Sequence, residues 1–270
     1  MTTLITGGTG KTGRRVAQRL TSAGHAVRLG SRSGDIPFDW DDELTWAPAL
    51  DGCHSAYITF APDLAFPGAA DTVAAFAKTA VERGATRLVL LSGRGEAGAQ
   101  LAEQRLAESG ADWTVVRCAF FAQNFSETFW LESVQAGELV LPGNTLEPIL
   151  DLEDVADVAT AALTDERHVG EVYDCTGPRL VSFEEAMDEI TRAIGRDVSF
   201  RTVSPVEFAA GLVEGGVPGP DADELTSLFV GILDGHNSSL SDGVRRAIGR
   251  EPHDFAEYVR RTAATGAWRA

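Results

Sequence analysis

The chain has 270 residues, 44% of them hydrophobic, enough for one large domain or for a domain with a smaller lobe. A formal net charge of −17 opposes phosphate backbones and excludes nucleic acid as a partner. Three scattered cysteines (Cys53, Cys118 and Cys175) without a CxxC pair, and no apolar run long enough to span a bilayer, argue against a disulfide framework, a zinc site or a membrane partner, and a cytoplasmic location is expected.

The chain opens on a short apolar strand that breaks into Thr6-Gly-Gly-Thr-Gly-Lys-Thr-Gly13, and an amphipathic segment follows from Arg14 to Ala23. Gly8-x-Gly10-x-x-Gly13 is the dinucleotide fingerprint in its usual context, with a strand before it and a helix after it. The early glycines permit the turn and let backbone approach a pyrophosphate. The last lets the helix pack on the strand, and unpaired N–H groups at the helix start meet the phosphate charge. Gly7, Thr9, Gly10, Lys11, Thr12 and Gly13 are the expected contacts. A P-loop ending in Gly10-Lys11-Thr12 would need a glycine five residues before Gly10, and Ile5 stands there.

Ala26 to Ser31 reads as the second strand, followed by Arg32 between Ser31 and Ser33. An acid about 20 positions past the glycines would take the ribose hydroxyls of NAD. An arginine there suits a 2′-phosphate through charge-assisted bonds, so NADP (as NADPH) is expected over NAD. Pro37-Phe38-Asp39 predicts a short third strand, with the Asp39 carboxylate near the adenine amino group and Asp41 or Asp42 as a helix N-cap. Ser55 to Phe60 is the next strand, with Ala61-Pro62 at its carboxyl end, where the cofactor would pass. A helix over Ala69 to Arg83 stops at Gly84. Thr86 to Ser92 is a buried strand, Glu96 to Ser109 a helix closed by Gly110, and Asp112 to Arg117 a further strand. The alternation predicts an α/β fold with a Rossmann-type doubly wound parallel sheet.

The second half is less regular. Cys118 to Gln135 carries Phe120, Phe121, Phe125, Phe129 and Trp130 just past a strand's carboxyl end. Phe120, Phe121 and Phe125 are therefore expected to line a pocket for a small apolar or aromatic substrate. A helix starts at Leu152, Val172 to Cys175 reads as a strand, Ser182 to Ile194 as a helix capped by Ser182 with Glu185, and Val198 to Val203 as a strand. Helical patterns dominate from Ser204. The chain is divided into an NADP-binding domain, 1–175, whose 120–150 stretch contributes to the pocket, and a smaller, mostly helical C-terminal substrate lobe, 176–270. Monomer and homodimer both stay open. His168 reads as a surface or helix C-terminal histidine, and His25 and His54 lack carboxylates at ligand spacing, so no metal is expected.

Thr6 to Gly13, Ser31-Arg-Ser33, Phe38-Asp-Trp40, Leu90-Leu-Ser92, Arg117 with Phe121, Asn124-Phe125 and Asp151 to Ala156 resemble the NmrA-like atypical short-chain dehydrogenases. Within these the chain looks most like bacterial relatives of the ergot-alkaloid reductases, the agroclavine dehydrogenase and festuclavine synthase group. The similarity runs over nearly the whole chain, through Gly249-Arg-Glu-Pro252 and Phe255. It implies an NADP-dependent reductase with a Rossmann domain and a small C-terminal substrate lobe. Cys118 stands where relatives usually carry proline.

Many short-chain dehydrogenases protonate through Tyr-x-x-x-Lys, but the only lysines here are Lys11 and Lys78, and none follows Tyr57, Tyr173 or Tyr258 at that spacing. Hydride transfer to a neutral ketone needs a proton donor or a positive charge at the oxyanion. Transfer to an iminium cation gives a neutral amine, and transfer to a quinone or activated alkene gives a delocalised anion that water protonates. The expected reaction is NADPH-dependent reduction of an imine, iminium, quinone or conjugated enone. Ser92, Gln123 and Asn124 are the polar groups expected near the nicotinamide, with Ser92 and Asn124 at the reacting centre. Leu90 stands where a nucleophile elbow would need glycine, which argues against hydrolysis. The rival reading is a non-catalytic NADP-binding regulator of the NmrA type, which would also keep the glycine turn and lack acid–base residues.

Overall fold

Alternation of apolar runs and amphipathic stretches produces, in the computed structural model, β1 (Thr2–Thr6), α1 (Gly13–Ser22), β2 (Ala26–Gly30), α2 (Trp46–Leu50), β3 (Cys53–Ile58), α3 (Ala69–Glu82), β4 (Arg87–Gly93), α4 (Ala97–Ala107) and β5 (Asp112–Cys118). Then follow α5 (Leu131–Ala136), β6 (Glu138–Leu141), β7 (Leu146–Glu147), α6 (Leu152–Thr164), β8 (Glu171–Cys175), β9 (Val181–Ser182), α7 (Phe183–Ile194), β10 (Ser199–Thr202), α8 (Pro205–Glu214), α9 (Gly219–Ile232), α10 (Gly243–Ile248) and α11 (Phe255–Thr265). The structure describes residues 2–128 and 130–269.

These elements gather into two compact units, each drawn from three stretches of chain: 1–119, 152–176 and 241–252 form the first, and 120–151, 177–240 and 253–270 the second. The sequence suggests a single cut after 175. The structure instead assigns 120–151 to the second unit and returns 241–252, with α10, to the first.

The first unit is built on one six-stranded parallel sheet in the order β2-β1-β3-β4-β5-β8. Its central strands are largely apolar because both faces are covered. Leu4, Ile5, Ala56, Ile58, Leu88, Val89, Leu90, Val115 and Val116 are all fully buried. The chain leaves β1 toward β2 on one side and returns to β3 on the other, so the strand order reverses beside β1. A crevice for ligands forms at such a reversal, outside the strands' carboxyl ends.

The third strand expected at Pro37–Asp39 does not form. Ser31 pairs with Pro37, and Asp39 with Asp42, only as isolated bridges. Pro37 has no N–H to extend a ladder. Phe38 instead turns inward, edge-on to Trp40 and Phe76 at 4.9 and 5.7 Å. Asp42, one of the two expected caps, accepts from the Leu44 amide at 3.1 Å and starts a short 3-10 turn.

The second unit carries two small sheets, β10 with β6 and β7 with β9, among α5, α7, α8, α9 and α11. The sequence missed β6, β7 and β9, which are too short to show a period. The capping box of α7 forms as expected, Ser182 Oγ accepting from the Glu185 amide and Glu185 accepting from the Ser182 amide. Aromatic rings fill the core: Phe125 lies against Trp130, Phe183 and Phe255, and the Trp268 indole donates to the Phe125 carbonyl at 2.8 Å.

Candidate dinucleotide site

The glycine turn sits at the sheet's point of reversal, and its geometry follows from which atoms crowd it. Thr59 Oγ1 donates to the Thr6 carbonyl at 2.8 Å, and the Thr59 amide donates to Thr6 Oγ1 at 2.8 Å, tying the ends of β1 and β3 together. Gly7 follows at a φ of 58°, in the left-handed region, and a β-carbon on it would collide with Thr59 Oγ1. The Gly10 amide donates to the Gly7 carbonyl at 2.8 Å and closes the turn. Gly13 begins α1 so close to Gly7 that a β-carbon would strike the same carbonyl. The last glycine thus does what its spacing implies, letting the helix press on the strand. Thr9 and Gly10 are exposed, while Thr12 and Gly13 are buried. At the start of α1 the Arg14 amide donates to the Gly10 carbonyl at 3.1 Å and the Arg15 and Val16 amides to the Thr12 carbonyl at 3.1 Å, and the helix presents the positive end of its dipole to the rim of the sheet.

The helix behind the turn is held by charge. Arg15 pairs with Glu153 at 2.7 Å, and Arg19 with Glu153 at 2.7 Å and Asp157 at 2.5 Å, both acids on α6. Burial alone would raise the Glu153 pKa, but the two guanidinium groups outweigh it and hold the carboxyl below its usual range. Arg15 also donates to the Lys11 carbonyl at 2.7 Å, bracing the turn from behind.

Of the other cofactor residues named from sequence, all but Asp39 lie at carboxyl ends of strands in the same sheet. Ser31, Arg32 and Ser33 follow β2, with Arg32 and Ser33 exposed, and exposed Ala61 and Pro62 follow β3. Asp39 is half-buried, accepts from the Asp41 amide at 3.2 Å, and offers its carbonyl to the Trp46 indole at 2.8 Å. Trp40 donates to the Thr59 carbonyl at 3.0 Å, so the Phe-Asp-Trp segment buttresses the rim.

Ser92, at the end of β4, is turned into the protein. It is 4% exposed, and its hydroxyl donates to Glu103 Oε1 on α4 at 2.6 Å. Arg117 on β5 donates to that same oxygen at 2.9 Å and also engages Oε2, and Glu103 pushes the guanidinium's pKa upward. The one proton a serine can donate is therefore committed. Sequence reasoning missed Glu103 and Thr59. Glu103 was visible as an acid on the buried stripe Ala99, Ala102, Glu103 and Leu106 of α4. Thr59 stands directly after the apolar run of β3, opposite the glycines.

Asn124 and the aromatic segment belong to the second unit. Asn124 is buried on a short 3-10 turn, and its Oδ1 accepts from the Thr128 hydroxyl at 3.3 Å. Gln123 donates to Asp151 at 2.7 Å. Phe125 is fully enclosed in that unit's core, whereas Phe120 and Phe121 keep part of their surface exposed, Phe120 stacking on Trp130 at 4.9 Å. Phe129 lies outside the described residues.

Among the described residues no group of three or more His, Cys, Asp or Glu side chains is placed to hold a metal. The cysteines are free and buried, and burial raises all three thiol pKa values, so none is a ready thiolate. No helix among these residues is long and apolar enough to cross a membrane. His168 corrects the sequence reading, being 1% exposed with Nδ1 2.7 Å from the Tyr173 hydroxyl.

No family profile matches the chain. The chain is 31% identical over 273 residues to the uncharacterized oxidoreductase YesF of Bacillus subtilis, covering 97% of this chain and 95% of that one. It is 29% identical to agroclavine dehydrogenase of Claviceps fusiformis, over 96% of both chains. In structure it resembles the triphenylmethane reductase of Citrobacter sp. complexed with NADP(H), with a TM-score of 0.78, 20% identity and coverage of 97% and 100%.

Proposed function

The chain belongs to the NmrA-like atypical short-chain dehydrogenases/reductases, and from that premise we propose that it is an NADPH-dependent reductase of small molecules that accept hydride without a protein proton donor. The observation that carries the reading is the cradle at the sheet's reversal, where Gly7 and Gly13 leave room for backbone and for nothing else. Relatives named as oxidoreductase and dehydrogenase, and a structural neighbour crystallised with NADP(H), support it.

The residues present fit the nucleotide. Gly7, Thr9, Gly10, Lys11, Thr12 and Gly13 would hold the pyrophosphate, with the positive end of the α1 dipole facing it. Ser31, Arg32 and Ser33 would take the 2′-phosphate, and Arg32 is an exposed guanidinium at the end of β2. Asp39 would face the adenine, with Ala61 and Pro62 beside the nucleotide's path. When reduced, the bound nucleotide supplies a hydride.

The tyrosines argue for an acceptor that needs no donated proton. Tyr57 is wholly buried, and burial pushes its pKa up. The Tyr173 hydroxyl is taken by His168, and the Tyr258 hydroxyl donates to Ser126 at 2.7 Å with its pKa raised by burial. An iminium, quinone or conjugated enone suits such a site, and a simple ketone does not. Asn124 would offer a polar group, and Phe120 and Phe121 an apolar surface, to the substrate. Ser92, its proton committed to Glu103, is read as a positioning residue at the end of β4.

The test is NADPH oxidation against a panel of iminium salts, quinones, conjugated enones and simple ketones. Turnover of the first three classes and not of ketones is expected. A preference for ketones would overturn the reading, and saturable NADPH binding with no turnover would favour the regulator instead.

A further inference from the structure

Two threonines bridge β1 and β3 where the sheet reverses. The backbone ladder between these strands runs from Thr2–Cys53 to Ile5–Tyr57 and ends there. Just beyond it Gly7 leaves the extended region at a φ of 58°, and β1 cannot continue. Side chains take over the pairing. The Thr59 amide donates to Thr6 Oγ1 at 2.8 Å, and Thr59 Oγ1 donates to the Thr6 carbonyl at 2.8 Å. Thr6 Oγ1 in turn lies 3.2 Å from both the Tyr57 and the Thr59 carbonyls. A hydroxyl has one proton and two lone pairs, so Thr6 Oγ1 accepts from the amide while its proton is shared between the two carbonyls. Thr6 is fully buried and Thr59 half-buried. The Trp40 indole also holds the Thr59 carbonyl, at 3.0 Å.

The Thr59 hydroxyl also bears on the glycine turn. A β-carbon on Gly7 would lie 2.4 Å from Thr59 Oγ1, so this oxygen fills the space that a side chain at Gly7 would take. By donating to the Thr6 carbonyl, the same hydroxyl fixes the peptide that joins Thr6 to Gly7. The orientation of that peptide sets where the turn starts, and the Gly10 amide closes the turn on the Gly7 carbonyl. Glycine is the residue least confined by its own backbone, so what holds Gly7 must come from outside it. A turn already held in one conformation loses less freedom when a ligand binds, and affinity rises without a new contact.

We propose that Thr59 is a positioning residue for the nucleotide: through its clasp with Thr6 it holds Gly7 and the glycine turn in the conformation that receives a pyrophosphate. The proposal rests on the NADPH reading above and adds a residue that acts without touching the ligand. NADPH and NADH share the pyrophosphate. Loss of the clasp therefore weakens both by the same factor and leaves their ratio, which Arg32 sets, unchanged.

The test is fluorescence titration of NADPH and of NADH into the full chain, at a temperature where unfolding curves show every variant folded. Thr59→Ala removes the hydroxyl without crowding Gly7. Both dissociation constants should rise about two- to tenfold, the span of one lost neutral hydrogen bond. Thr59→Ser keeps the hydroxyl and should bind both nucleotides as the wild type does. Thr6→Val removes the other half of the clasp, should weaken both in the same direction, and serves should Thr59→Ala fold poorly. A hydroxyl that only stabilises the sheet would lower the unfolding midpoint of Thr59→Ala and leave both constants unchanged, and that result would overturn the proposal. An equal loss in Thr59→Ser, or a loss confined to one nucleotide, would overturn it too. A wild type with no saturable signal for either nucleotide would sink the NADPH reading itself, and the proposal with it.

Discussion

Gly13 stands so close to the carbonyl of Gly7 that no β-carbon fits between them, and this contact sets the distance of α1 from the sheet. The Gly13→Ala variant must push the helix back or open the turn, at a cost of about 1–3 kcal/mol. Its unfolding midpoint should fall, and NADPH affinity should fall by more than stability alone explains, because the turn and the positive end of α1 that would face the phosphate are displaced together. Thermal unfolding and NADPH fluorescence titration read the two effects. Wild-type affinity in a folded Gly13→Ala protein would remove the cradle from the account.

Arg32 decides the nucleotide. Replacing it by glutamate removes the charge-assisted partner of the 2′-phosphate and puts repulsion there. A lost bond to a charged group is worth about 1.5–3 kcal/mol, so the NADPH-to-NADH ratio of kcat/KM should drop by roughly 10- to 150-fold. An unchanged ratio would mean that specificity lies elsewhere.

Ser92 and Arg117 share the carboxylate of Glu103, and this separates structure from chemistry. Glu103→Gln leaves a guanidinium without its counter-charge and should cost about 3 kcal/mol, near the low end for a broken buried pair, because Arg117 keeps 25% of its side chain exposed. Ser92→Ala should cost about 1 kcal/mol of stability. It should also leave kcat within about tenfold, or 1.4 kcal/mol of barrier. A larger loss of kcat would return Ser92 to the reacting centre.

The particular residues explain what was legible. The strands of the first sheet were readable because a parallel sheet covered on both faces leaves unbroken apolar runs, as in Leu88 to Leu90. The glycine turn was readable because its spacing is a steric requirement. Pro37 to Asp39 misled because an apolar residue between a proline and an acid suits a packed loop as well as a strand. His168 looked exposed because the chain around it is polar, and only the fold brings Tyr173 to its ring. Phe125 illustrates the limit of aromatic spacing, which does not separate a pocket ring from a core ring. Phe125→Ala should cost about 3–5 kcal/mol in urea unfolding, and Phe120→Ala clearly less, since that ring is not fully enclosed.

Acid should weaken the fold through His168 before it reaches the carboxylates. Burial holds the imidazole's pKa below its ordinary value, about 6.5, so the unfolded chain takes up the proton first. The contribution of the neutral ring is complete above pH 6.5 and is lost as pH falls through the lower folded value. The slope is at most about 1.4 kcal/mol per pH unit for one proton. His54, also lowered chiefly by burial, acts in the same direction, so acid sensitivity should be reduced rather than abolished in His168→Gln. Urea midpoints from pH 7.5 to 5.5, in a buffer free of phosphate and carboxylate, should fall more steeply for the wild type than for the variant. Superimposable curves would mean that His168 titrates normally and that its burial carries no pH dependence.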